Sequence, residues 1–137
     1  MAGLAFANAS VGAVHALAYP LGTQFHLSHG ESNAVVLVPV MRLNLAVATP
    51  LYAEIGRSVL SGIDLQDDDD AAAQLIDELA QLIPGIGLRD RLSQYGITER
   101  DLDSLTEGTL KQERLLSYNI RPMIKEEIRS AFHSVLN

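Results

Sequence analysis

The chain has no cysteine, which excludes disulfides, thiolate metal ligands and a cysteine nucleophile together. It has no basic cluster either. Ten Lys and Arg stand against seventeen Asp and Glu, a formal charge of −7. Nucleic-acid surfaces need clustered cations against phosphate, so that partner class is set aside. Aromatic residues make up only 5%, and the core must be built from Leu, Ile, Val and Ala. No repeat, low-complexity linker or domain boundary interrupts the 137 residues, so residues 1–137 are expected to form a single domain. Nothing reads as an export or membrane segment. Met1–Leu21 is apolar but lacks a positive n-region and carries Asn8 and His15. The run Ala34–Ala48 is interrupted by Pro39, Arg42 and Asn44 and is shorter than the roughly 20 residues a bilayer needs. A soluble, cytoplasmic protein with no membrane partner is expected.

What is present reads as helix after helix, an all-α domain of about six or seven helices by ordinary helix lengths. Residues 2–18 are rich in small residues, with Gly3, Ala9, Gly12 and Ala13 permitting close helix approach. Pro20 and Gly22 are expected to end that helix, leaving 19–30 as a loop. Ser32 to Leu45 is apolar nearly all round and predicts a buried central helix. Pro50 is placed to open a third helix reaching about Leu60. The acidic run Asp67–Asp70 precedes a pattern in which Leu75, Ile76, Leu79, Leu82 and Ile83 share one face. Capping and attraction to the helix dipole account for those four carboxylates better than a calcium site, because the spacing lacks an EF-hand's alternating oxygens. Thr98 with Asp101 is a capping-box pair, with Ile97 stapling onto Leu102. A last helix begins near Pro122 and buries Ile124, Ile128, Ala131, Phe132 and Val135.

The informative polar residues are four histidines: His15, His26, His29 and His133. Imidazole is a common ligand for borderline divalent metals. By residue type and spacing alone, however, His15 is more often a hydrogen-bonded core residue. His26 lies three positions before His29, so a ligand or surface role stays open. His133 reads as structural or exposed.

The wider segment carries more. Ala2-Gly3-x-Ala5-Phe6-x-Asn8 is followed by Val14-His15-Ala16 and Pro20-Leu21-Gly22. His29-Gly30-Glu31-Ser32-Asn33-Ala34 comes next, and then Val40-Met41-Arg42-x-Asn44. This long, fixed-spacing pattern closely resembles the signature of iron-containing, or group III, alcohol dehydrogenases. Tyr52 to Gly56, Leu88 to Leu92, Gly96 to Leu102 and Asn119 to Ile128 continue the resemblance across essentially the whole chain.

The resemblance implies the C-terminal helical domain of the dehydroquinate synthase-like fold. It also implies hydride exchange between an alcohol and NAD(P), assisted by a divalent metal such as Fe or Zn. Family members hold that metal with one aspartate and three histidines. Two of those histidines correspond to His15 and His29, while the aspartate, the third histidine and the nucleotide-binding α/β domain have no counterpart here. The implied chain is therefore a metal-contributing portion, inactive alone, with NAD(P) belonging only to the full-length enzyme. Tyr19 stands where many members carry a second, proton-relaying histidine, and Tyr19 and His26 are left as candidate cleft-lining residues. Val38-Pro39-Val40 replaces a Leu-Pro-His motif, and Ile124 replaces a threonine cap.

Two further readings remain. One is a non-catalytic helical dimerisation or interaction module derived from the same family. The other is a small metal-binding protein using His15, His26 and His29. A homo-oligomer or the missing nucleotide-binding domain is the expected partner. Without that domain an apolar patch around the His15–His29 cleft is expected.

Overall fold

A computed structural model describes residues 12–63 and 67–137, and the expectations for Gly3 and Ala9 lie outside those residues. The described residues contain α-helices and short 3-10 turns and no strand, as the resemblance implies. The helices are α1 (Ala13–Phe25), α2 (His29–Val59), α3 (Asp68–Gly85), α4 (Leu102–Leu110), α5 (Glu113–Ser117) and α6 (Lys125–Ser134).

Two proline expectations are overturned. Pro20 lies inside α1 and is buried, so the loop that follows is only residues 26–28. α1 ends instead at His26, which takes a left-handed conformation with φ 60°. The His26 amide donates to the Gly22 carbonyl, and the Leu27 amide reaches back to Leu21. Leu27 is 8% exposed, so a hydrophobic anchor fixes the reversal without the usual glycine. Pro50 is the second case. It starts no new helix and sits inside a 31-residue α2 together with Pro39. Each proline leaves the carbonyl four residues back without its helical amide. Just before Pro50, the Thr49 hydroxyl donates to the Leu45 carbonyl at 2.6 Å, which helps the backbone through. The merged helix is long and apolar enough to cross a membrane by length and composition. Its packing is that of a core helix, with Ser32, Val35, Val36, Val40, Met41 and Asn44 buried.

α1 and α4 pack on one another, α6 covers α4, and the first half of α2 runs beneath. Their shared core holds Leu17, Leu21, Val36, Leu92, Ile97, Leu102, Leu105, Ile128 and Phe132. The Ile97–Leu102 staple is thus part of the core. The Thr98 amide and hydroxyl both donate to Asp101, at 2.8 and 2.9 Å, although the box opens a 3-10 turn (Glu99–Asp101) before α4. α2 also pairs with α3 around two smaller clusters, one of Met41, Leu75 and Ile76 before its midpoint, the other of Ala53, Ile63 and Ala71 toward its end. Asp67 caps α3 as expected, its carboxylate accepting from the Asp70 amide at 2.9 Å. Leu82 and Ile124 depart from the expected faces, being 53% and 58% exposed. Ile124 is the residue just before α6, too early to reach the core.

Candidate functional site

α2 begins at His29 because Ser28 and Glu31 close a capping box. The Ser28 amide and hydroxyl donate to the Glu31 carboxylate at 3.2 and 2.7 Å, and the Glu31 amide returns a bond to the Ser28 hydroxyl at 3.3 Å. Those bonds hold the Glu31 carboxyl below its ordinary range. The Ser-x-x-Glu signal for this box, Ser28 to Glu31, overlaps the start of the His29–Ala34 motif in the sequence. It explains how a histidine at a helix start is held in place.

Opposite stands His15, at the third position of α1. The two imidazoles have centroids 5.3 Å apart and planes inclined by 47°. Burial, and secondarily the proximity of His29, push the His15 pKa down. That favours the neutral ring, the form that ligates a metal. The Asn33 amide lies 3.1 Å from His29 Nε2, bracing that ring from the next turn of α2.

The two rings open on a cleft of about 320 Å³ lined also by Ala18, Tyr19, Gly22, Thr23, Leu27, Ser32 and Leu115. Tyr19 lies at its edge, one turn after His15 and 54% exposed. His26 is absent from this lining; its position at the end of α1 turns it into solvent. His133 lies far away on α6, exposed, with Nε2 3.6 Å from Glu99. The four histidines are therefore sorted as one pair and two outliers. Sequence reasoning passed over Ser32, which is 2% exposed and whose hydroxyl has no hydrogen-bond partner. A second, more open cleft of about 620 Å³ lies on the other side of His15, walled mainly by Val14, Leu37, Met41, Leu51, Tyr52 and Ile120.

The donor set fits part of a divalent-metal site. Two imidazoles face each other with one favoured neutral, and a buried oxygen without a partner stands beside them. Among the described residues no group of three or more His, Cys, Asp or Glu comes together to hold a metal, so His15 and His29 stand as a pair of candidate donors only.

Residues 1–136 match the family described as Fe-containing alcohol dehydrogenase, C-terminal. The chain belongs to the iron-containing alcohol dehydrogenase family. Within this family it is 39% identical to a long-chain-alcohol dehydrogenase of Geobacillus thermodenitrificans, over 98% of this chain and 34% of that protein. It is 33% identical to a 4-hydroxybutyrate dehydrogenase of Clostridium kluyveri, over 96% of this chain and 34% of that one. An alcohol dehydrogenase structure from Oenococcus oeni superposes with a TM-score of 0.89 at 32% identity, covering 98% of this chain and 35% of the other. The chain thus spans about a third of these iron-containing alcohol dehydrogenase relatives, and corresponds to their C-terminal part.

Proposed function

We propose that the chain is the metal-contributing helical portion of a soluble, cytoplasmic NAD(P)-dependent alcohol dehydrogenase, and that it does not turn over alone. The observation that carries this reading is the facing pair of His15 and His29 in a family whose named relatives are a long-chain-alcohol and a 4-hydroxybutyrate dehydrogenase. His15 and His29 would hold one side of a divalent ion, iron or zinc, the remaining ligands and the nicotinamide coming from the rest of the enzyme. The chemistry such an ion supplies is Lewis acidity toward an alcohol oxygen. The chain's own residues do the rest. The capping box fixes the start of α2 at His29, burial favours the neutral form of His15, and Ala18, Leu27 and Leu115 would exclude water around an aliphatic body. Tyr19, at the cleft edge and 54% exposed, would border the substrate.

The test is a chimera that joins this chain to the upstream two thirds of the Geobacillus relative. The expected result is NAD(P)H-linked aldehyde reduction that His15→Ala abolishes, with no reaction from the chain alone. A chimera that folds and binds nicotinamide, yet turns over equally with and without His15, refutes the reading.

A second reading, a non-catalytic dimerisation or interaction module, is favoured by one observation. Val47, Leu51, Ile55 and Val59 recur every four residues along α2 and are 41–65% exposed, forming an apolar stripe. Leu51 also walls the second cleft beside His15, where Tyr118 and Ile120 are 48% and 52% exposed, so the stripe runs toward the histidines, where an apolar patch is expected. Sedimentation of the chain at increasing concentration separates the readings: association abolished by Leu51→Lys supports the module.

A further inference from the structure

Ser32 carries one of three buried side-chain polar atoms without a partner among the described residues, the others being Asn33 Oδ1 and the Tyr95 hydroxyl. Ser32 is 2% exposed and its hydroxyl is unpartnered, although a helical serine ordinarily donates to the carbonyl four residues back. A buried hydroxyl left without a partner is costly, and natural proteins retain few of them. Its position supplies the reason. Ser32 lies three residues after His29, on the same face of α2, and lines the same cleft as His15 and His29. The other walls beside it, Ala18, Leu27 and Leu115, offer no side-chain hydrogen-bond group.

We propose that the Ser32 hydroxyl is a ligand-contact residue, donating a hydrogen bond to a hydroxylic oxygen seated beside the His15 and His29 imidazoles. Water and a small alcohol share this chemistry. An oxygen at that point accepts from Ser32 while its apolar substituent, where it has one, rests on Leu27 and Leu115. Ser32 thereby fixes which lone pair of the oxygen is left for the histidine side, and it acts as a positioning residue for substrate. The inference rests on the reading of His15 and His29 as metal ligands.

The test uses the chain itself and Cu²⁺, the tightest-binding divalent ion of the series for nitrogen ligands. Cu²⁺ affinity, the visible absorption of the complex and thermal stability are measured for wild type, Ser32→Ala and His29→Ala. The expected result is binding that His29→Ala abolishes and Ser32→Ala weakens at least threefold, with a shifted absorption band. Ser32→Ala should leave the melting temperature unchanged or raised, since it removes an unpartnered buried hydroxyl. A merely structural serine would show the opposite, a lower melting temperature and an unchanged spectrum. Added 1-propanol distinguishes the two oxygen sources. A spectral change that needs more propanol in Ser32→Ala assigns the contact to the alcohol, and no change in wild type assigns it to water. Binding and spectrum identical in wild type and Ser32→Ala, while lost in His29→Ala, overturn the Ser32 contact and leave the histidine pair standing. Binding indifferent to His29→Ala overturns both.

Discussion

Asn44 and Asn119 hold two distant parts of the chain together through paired amides. Each side-chain NH₂ donates to the other's carbonyl oxygen, both bonds being 2.8 Å. Asn44 is only 6% exposed. The Asn119 amide also donates to the Arg121 carbonyl at 2.8 Å, and Arg121 Nε donates to the Leu43 carbonyl at 3.0 Å. The pair thus anchors the segment between α5 and α6 onto the middle of α2. Replacing Asn44 by alanine strands the Asn119 carbonyl and removes one of two acceptors from its NH₂. An orphaned buried amide costs about 1–3 kcal/mol, so Asn44→Ala is expected to lose about 2 kcal/mol. For a domain this size that is a fall of roughly 6–8 °C in melting temperature. Asn119→Ala should cost a similar amount, because it strands Asn44 and frees the Arg121 carbonyl. The double variant removes both partners together, and the two losses should fall short of additive by about 1–2 kcal/mol. Urea titration of the four proteins at equal slope provides the cycle. Losses that add to within about 0.4 kcal/mol, the scatter ordinarily seen for independent sites, would refute the coupled clamp.

Three other outcomes follow from the packing and charge. A methyl on Gly108 would sit 2.8 Å from Pro20 Cβ and 2.9 Å from Gln24 Nε2, whereas Gly30 has open space around it; Gly108→Ala should therefore destabilise by about 1–3 kcal/mol, while Gly30→Ala is neutral or stabilising, and chemical denaturation that ranks them the other way contradicts the tight α1–α4 crossing. Asp67→Ala should cost about 1 kcal/mol through loss of the α3 cap, seen as reduced helicity and midpoint, and an unchanged midpoint would show that Asp68 or Asp69 substitutes for it. Glu127 accepts from Arg121 at 2.8 and 3.2 Å and from the Ile124 amide at 3.1 Å, which together hold its pKa below the ordinary 4.5. A depressed carboxylate contributes stability above its unfolded pKa, and that stability is lost as pH falls through the folded value; Glu127→Gln should flatten the fall in melting temperature below pH 4.5, and an acid limb identical to wild type would remove Glu127 from that role.

Much of the site was legible because its carriers are local. The motif around His15 and His29 singles both out in the sequence, and the structure brings their rings together; Asp67 and Thr98 declare their caps in four-residue patterns. What misled were the prolines. Pro20 and Pro50 read as punctuation, since a proline ordinarily removes a helical bond and crowds the preceding turn. Burial of Pro20 within the core and the Thr49 back-bond to Leu45 outweigh that local penalty here. The true end of α1 was illegible, because a histidine occupies the left-handed position where glycine is the readable mark. Ser32 escaped for another reason: a serine on a helix carries no sign of being unpartnered until its neighbours are placed.

The division of the apolar clusters along α2 bears on how the protein opens. Beyond Asn44, α2 is bound chiefly to α3, its neighbour in sequence, through the small core of Ala53, Ile63 and Ala71. The half that begins at His29 is bound by residues drawn from α1, α4 and α6, such as Leu17, Leu105 and Phe132. One continuous helix thus belongs to two cooperative units of different depth. The hairpin can fray and re-form as a local unit while the His15–His29 end stays closed, since local openings need only the free energy of the contacts they break. Amide exchange should therefore vary along a single helix, fast toward Val59 and slow toward His29, so that breathing at the far end leaves the facing imidazoles undisturbed.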